Sequence, residues 1–195
     1  MELAPFDVVM FLGLFVMFII GYAQGVTRRL LGIAAILFSI GLGAQLRNWL
    51  GGYLAGQWNS IAPQYSYMIA FFAVFTAAAI ALSFMIQISY RPAPLFYRYP
   101  VLDEVLGGVL GVIEGFIILI AFLLIVDPYF MGVGGETGPV TGEFGLLRTL
   151  SDFVDHSISA TVLRENVIPG MLFIFGFLFP KDVIETFATV VRTRV

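Results

Sequence analysis

Long stretches with almost no charged residue alternate with short polar segments along the first two thirds of the chain. The charge-poor stretches are residues 8–27, 30–46, 65–90 and 105–126. Each is long enough, or nearly so, to cross a hydrocarbon layer roughly 30 Å thick as a helix. A barrel strand would alternate apolar and polar residues, and these stretches do not. The pattern predicts an all-α integral membrane protein with four transmembrane helices, at about 7–27, 30–47, 65–90 and 104–127. We call them predicted helices 1 to 4.

The remainder of the chain has a different pattern. We expect residues 1–128 to form the transmembrane domain and 129–195 an extracytoplasmic or interfacial helical tail. Apolar residues recur at helical spacing in 144–164 and in 181–194, which is typical of amphipathic helices. Residues 167–179 carry no charge but are short for a crossing, and Pro169 and Pro180 bracket most of them. A re-entrant or interfacial segment is therefore favoured over a fifth crossing.

Composition narrows the classes of function. Hydrophobic residues make up 59% of the chain and charged residues 12%, about half the charge of a soluble domain, and the mean hydropathy is +0.96. A net charge of −3 gives no reason to expect a nucleic-acid partner. Cysteine is absent and His156 is the single histidine, which excludes disulfides, thiolate metal sites and multi-histidine clusters. We expect no cofactor and no metal.

Basic residues near the helix ends predict the orientation. Arg28 and Arg29 lie in the first predicted connection and Arg91 and Arg98 in the third, against Arg47 alone in the second. This bias places the first and third connections in the cytoplasm and both chain ends outside it. Those four arginines are expected to fix the topology and to contact lipid headgroups. In the third connection three prolines prevent a continuous helix, and the following Asp103 resembles an N-cap of predicted helix 4.

Two of the predicted helices carry glycines in register by fours. Such ladders let membrane helices pack closely, because association there depends largely on the close contact that small residues permit. We expect predicted helices 1 and 4 to meet near the cytoplasmic side, with predicted helix 2 sharing that depth. The glycines are Gly13, Gly21 and Gly25 in helix 1, Gly32 in helix 2, and Gly107, Gly111 and Gly115 in helix 4.

At these positions the sequence resembles the colicin V production protein (CvpA) family. The resemblance lies in Asp7, in Gly21-x-x-x-Gly25 followed by Arg28, in Leu102-Asp103-x-x-Leu106-Gly107-Gly108-x-x-Gly111-x-x-x-Gly115, and in Ser159-x-x-x-Leu163 leading to Ile168-Pro169. It is close over about residues 6–130 and weaker in the tail. It implies a small bacterial inner-membrane protein of about four helices, linked to colicin V production or export and to envelope homeostasis.

Glu114 is the one acidic residue expected near the membrane centre, at a position where members of that family often carry a basic residue. It follows Gly111 by three residues and therefore projects from the glycine face into the bundle. Ser39 and Ser83 are expected at a similar depth, within reach of hydrogen bonds. A neutral carboxyl that hydrogen-bonds across helices is the favoured interpretation. A proton or ion relay is the alternative.

The remaining polar cluster favours no reaction. Ser151, Asp152 and His156 lie close in sequence, but no nucleophile elbow or oxyanion-hole signature accompanies them. We therefore expect a non-enzymatic protein that supports toxin production, toxin export or envelope homeostasis by associating with other membrane proteins or with copies of itself. The lipid bilayer around the protein is also expected to be a partner. A small ion or proton channel, or transporter subunit, that uses Glu114 is the alternative.

Overall fold

The computed structural model describes residues 4–58, 63–89, 95–96, 98–130, 153–154 and 157–178. Helices account for nearly all of these residues: α1 at Pro5–Gln57, α2 at Pro63–Ser89, α3 at Pro100–Phe130 and α4 at Ile158–Phe175. No strand occurs among them. All four helices are long and apolar enough to cross a membrane. The predicted all-α membrane class is confirmed.

Helix α1 consists of two helical arms joined at one residue. A straight helix of 53 residues would be about 80 Å long, far more than a bilayer core needs. Gly25 interrupts it with φ 74° and ψ 174°, a conformation that glycine adopts without the steric cost a Cβ brings. We call residues 5–24 the first arm and 26–57 the second arm. They correspond to predicted helices 1 and 2.

The direction of the chain reverses at Gly25. Along the first arm, Gly21 lies against Gly107 and Met17 against Gly111, so the first arm and α3 run antiparallel. From the break into the second arm, Gly25 lies against Gly107 and Gly32 against Glu114, so the second arm and α3 run parallel. Helix α3 therefore packs into the angle between the two arms. The sequence predicts this reversal at Arg28 and Arg29, whose charges carry no information about backbone conformation. In the structure the reversal lies at Gly25.

Helix α2 packs antiparallel to the second arm. Gly43 lies against Phe71 and Gly51 against Tyr67, so sequence number rises along one helix as it falls along the other. The second arm continues to Gln57, and the first ten residues of the expected 48–64 connection are helical. Trp49 and Tyr53 are exposed there, as expected for aromatic rings at headgroup level.

A continuous core joins the four helices. Its fully buried members include Ile40, Phe71 and Leu124 from the three long helices, and Ile168 from α4. The opposite faces of α1 and α2 carry exposed Phe, Ile and Val side chains, as expected for helices that face lipid.

Helix α4 runs through the boundary that the sequence analysis placed between an amphipathic helix and a separate apolar segment. Residues Leu163–Val167 form a π turn within it, and Gly176–Leu178 add a 3₁₀ turn at its end. Proline lacks an N–H and crowds the carbonyl of the preceding turn, and the wider π turn before Pro169 relieves that crowding. Residues 144–152 of the amphipathic helix expected at 144–164 lie outside the described residues, as does the whole of the one expected at 181–194. The re-entrant or interfacial position expected for 167–179 stays a prediction.

Candidate functional site: a buried ion pair beside Gly25

The backbones of the first arm and α3 touch where the chain reverses. A Cβ on Gly107 would lie 2.6 Å from the carbonyl oxygen of Gly21 and 2.8 Å from the Cα of Gly25. A Cβ on Gly111 would collide with the carbonyl oxygen of Met17. Contacts this short leave no space for a side chain, so the glycines at these positions permit the packing itself.

The remaining glycines of the predicted packing set divide into two groups. A Cβ added to Gly115 would lie 2.9 Å from Leu14 Cδ2 and 3.5 Å from Met17 Cβ. A Cβ added to Gly32 would lie 2.6 Å from Glu114 Oε1. Gly13 is exposed, with nothing within 4 Å of its Cβ position. The structure therefore brings every glycine of the predicted packing set into contact between helices, except Gly13.

Four residues after Gly25, a buried ion pair joins the second arm to α3. Arg29 Nη1 donates to Glu114 Oε2, and the two residues are 5% and 8% exposed. Arg29 lies one turn after the break and Glu114 follows the Gly111 contact by three residues, so both side chains point into the same interface. Each charge therefore has a counter-charge in place of water, which is the arrangement that buried charges require.

This ion pair changes the expected environment of Glu114. The sequence predicts Ser39 and Ser83 as hydrogen-bond partners of Glu114, and Arg29 is not among the predicted partners. Ser39 instead donates from Oγ to the carbonyl oxygen of Ala35 at 2.7 Å, one turn back on its own helix, and Ser83 is exposed on α2. The neutral, serine-bonded carboxyl is therefore replaced by an ion pair with an arginine 85 residues away.

The four arginines expected to contact lipid headgroups differ in their exposure. Arg29 is buried, whereas Arg28 is half-buried and Arg98 exposed; Arg91 lies outside the described residues. Consecutive helical residues are about 100° apart around the axis, so two neighbouring arginines face different surroundings. Arg29 faces α3, and only Arg28 is left to face outward. The expectation that Arg29 contacts headgroups does not agree with its burial.

Asp103 connects the turn before α3 to the break in α1. Helix α3 begins at Pro100, so Asp103 lies in its first turn rather than at the expected N-cap. Its Oδ1 accepts the backbone N–H of Leu95 at 3.2 Å and that of Phe96 at 3.4 Å. The carboxyl lies against Gly25 and is buried. One carboxylate thus links the preceding turn, α3 and the break.

At the far end of the first arm, Asp7 links the N-terminus to the tail. Its Oδ1 accepts Ser157 Oγ at 2.6 Å and the backbone N–H of Ser159 at 3.1 Å, while Oδ2 accepts the N–H of Ala4 at 3.2 Å. Ser157 is also the N-cap of α4, accepting the N–H of Ala160. In sequence, Asp7 appeared only as a motif residue near the N-terminus. Nothing there indicated a partner 150 residues away.

In the parts of the chain that the structure describes, no group of three or more His, Cys, Asp or Glu side chains is placed to hold a metal ion. Ser151, Asp152 and His156 lie outside the described residues, so the structure does not bear on them. The chemistry of the described site is that of a structural ion pair between two membrane helices.

The helices, their apolar outer faces and the internally paired charges define a multi-pass helical membrane protein. Residues 6–166 match the model of the family described as colicin V production protein. The match covers well over half of the chain, so the chain belongs to this family, and the predicted resemblance is confirmed. The matched region extends past α3 into α4, whereas the close sequence resemblance covers only about residues 6–130. Membership supports a CvpA-like role in colicin V production. Comparison with characterised proteins and with solved structures gives no significant match.

Proposed function

We propose that this chain is a non-enzymatic protein of the bacterial inner membrane that supports the production or export of a colicin V-type toxin, or the homeostasis of the envelope. It acts by associating with other membrane proteins or with a second copy of itself. The family match over residues 6–166 carries the proposal. The arrangement of polar and apolar groups supports association rather than catalysis.

Several charged side chains are paired inside the bundle, and large apolar side chains lie on its outer faces. Arg29 pairs with Glu114, and Asp7 binds Ser157 and Ser159. Outside, α2 presents a row of large apolar side chains that are each more than half exposed: Phe72, Ile80, Phe84, Met85 and Ile88. In a bilayer such a face is covered by lipid or by another membrane helix.

The ion pair also bears on the channel alternative. A relay requires a carboxyl that exchanges protons with a pathway, whereas Glu114 is occupied by a guanidinium and packed against Gly32. The backbone contact between Gly21 and Gly107 leaves no space between the first arm and α3 at that level. Both observations support a packing role for this region.

The orientation is part of the proposal. We place both chain ends outside the cytoplasm, which puts the Gly25 reversal on the cytoplasmic side. Because the chain lacks cysteine, single cysteines at the exposed Asn48 and Arg98 give clean labelling sites. An impermeant maleimide added to spheroplasts should label Asn48→Cys at once and Arg98→Cys only after lysis. The reverse order would overturn the orientation.

The proposed function is tested in a toxin-producing strain whose own copy of this gene is deleted. Active toxin in the medium should fall and return when the chain is supplied again. A photo-crosslinker at the exposed Ile80 should capture a discrete membrane protein or a second copy, whereas one at the buried Phe71 should not. Unchanged toxin and envelope integrity would contradict the proposal. Ion or proton flux in vesicles that Glu114→Gln abolishes would favour the channel alternative.

A further inference from the structure

The contacts around Gly25 bring two arginines to one end of the bundle. The carboxyl of Asp103 lies against Gly25, so the start of the second arm adjoins the start of α3. The hydrogen bonds from the Leu95 and Phe96 backbones to Asp103 hold the preceding turn at the same place. Arg28 follows Gly25 by three residues and Arg98 precedes α3 by two. Both side chains therefore lie at this end of the molecule.

The charges of Arg28 and Arg98 are available to a ligand, whereas that of Arg29 is paired with Glu114. Arg28 is half-buried and Arg98 exposed, and neither has an ion-pair or hydrogen-bond partner within the described part of the chain. Two nearby acids have other contacts. Asp103 is buried and accepts backbone N–H groups, while Glu104 accepts a hydrogen bond from Tyr22. The arginines thus form a cationic surface that local carboxylates leave open.

The surroundings of the two arginines fit a membrane headgroup layer. Leu95 and Tyr99 flank Arg98 in sequence and are 59% and 62% exposed. Exposed tyrosine is typical of the boundary between hydrocarbon and water, and a guanidinium binds phosphate oxygens in pairs. We call Arg28, Leu95, Arg98 and Tyr99 the apex patch. Its combination of apolar, phenolic and cationic groups matches a lipid that offers acyl carbon and phosphate together.

We propose that the apex patch binds the headgroup phosphate of an anionic phospholipid. The two guanidinium groups hold the phosphate, while Leu95 and Tyr99 contact the glycerol and upper acyl region. A basic residue near an anionic membrane surface strengthens binding by about fivefold, so the pair contributes more than tenfold together. The interaction would hold a lipid beside the reversal of α1 and is independent of any toxin-related role.

Binding is measured on the full chain in mild detergent, by titrating short-chain phosphatidylglycerol and following lipid retention in native mass spectrometry. Phosphatidylcholine and inorganic phosphate serve as comparison ligands. The variant is Arg28→Gln with Arg98→Gln; Arg28→Lys with Arg98→Lys keeps the charge, and Glu165→Gln alters an exposed charge on α4, outside the patch. The lysine variant also checks that substitution at these positions preserves folding.

We expect the protein to retain phosphatidylglycerol in preference to phosphatidylcholine. The glutamine variant should lose at least about tenfold in affinity, the lysine variant should keep most of it, and Glu165→Gln should match the unaltered chain. Equal retention of both lipids, or glutamine-variant affinity equal to that of the unaltered chain, would overturn the proposal. Full displacement of the lipid by inorganic phosphate would also overturn it, because the ligand would then be a free anion.

Discussion

Arg29 and Glu114, 85 residues apart in sequence, form an ion pair that holds the second arm of α1 to α3 inside the bundle. On insertion scales, a charged residue at the centre of a membrane helix costs roughly 2.5–3.5 kcal/mol. Pairing offsets that cost for both residues, so each depends on the presence of the other. This dependence has a measurable consequence.

Removing either member of the pair should destabilise the protein more than removing both. Arg29→Met or Glu114→Leu alone leaves one buried charge unmatched, and we expect a loss of about 3 kcal/mol. The double variant replaces the pair with apolar groups and should recover most of that loss. Thermal unfolding in mild detergent, followed by circular dichroism, measures the cycle. Glu165→Gln, which alters an exposed carboxyl, is the control. Additive losses in the double variant would show that the two charges do not interact.

Gly111→Ala should loosen the contact between the first arm and α3. The added methyl group meets the Met17 carbonyl oxygen, and overpacking of this kind costs about 1–3 kcal/mol. Gly13→Ala is the matched control: it lies on the glycine ladder of the first arm, but its Cβ position is open. Because alanine favours helices over glycine, the control should be neutral or slightly stabilising. Equal effects of the two substitutions on the midpoint of thermal unfolding would contradict the close approach.

Gly25→Ala tests the reversal of the chain. At φ 74° an L side chain costs about 1–2 kcal/mol, and the new methyl group would also displace the Asp103 carboxyl. We therefore expect a lower unfolding midpoint. Gly170→Ala in α4, where the added methyl meets nothing within 4 Å, should show no such decrease. An unfolding midpoint that Gly25→Ala leaves unchanged would mean that the two arms join in another conformation.

Asp7→Asn should loosen the attachment of α4. The asparagine has nearly the same size but lacks the charge that strengthens the bonds from Ser157 and Ser159, a loss of about 1 kcal/mol. Hydrogen–deuterium exchange at the Ser159 amide should accelerate by about fivefold. The exposed Glu165→Gln should leave that exchange unchanged. An unaltered Ser159 amide would show that Asp7 does not hold the start of α4.

Local features of the sequence predicted the helices and the packing glycines, but not the pairing of the charges. Charge-poor stretches and glycines spaced four residues apart can be recognised within a single helix. Together they predict where predicted helices 1 and 4 meet. The pairing of Arg29 with Glu114, and of Asp7 with Ser157, depends on how separate helices rotate and align. The reversal at Gly25 has a local cause, but glycines in a packing ladder and glycines at a break look the same in sequence. Adjacent arginines likewise gave no sign that only Arg28 faces outward.

The register of α3 against the first arm can be tested directly with a disulfide. The Cβ position of Gly115 lies 3.5 Å from Met17 Cβ, within the range for a disulfide, and the chain has no cysteine of its own. When an oxidant such as copper phenanthroline is added to native membranes, Met17→Cys with Gly115→Cys should form a disulfide and shift in mobility on a non-reducing gel. Met17→Cys with Ile113→Cys, on the exposed face of α3, should stay reduced. No crosslink in the first pair, or equal crosslinking in both, would contradict the packing of α3 between the arms.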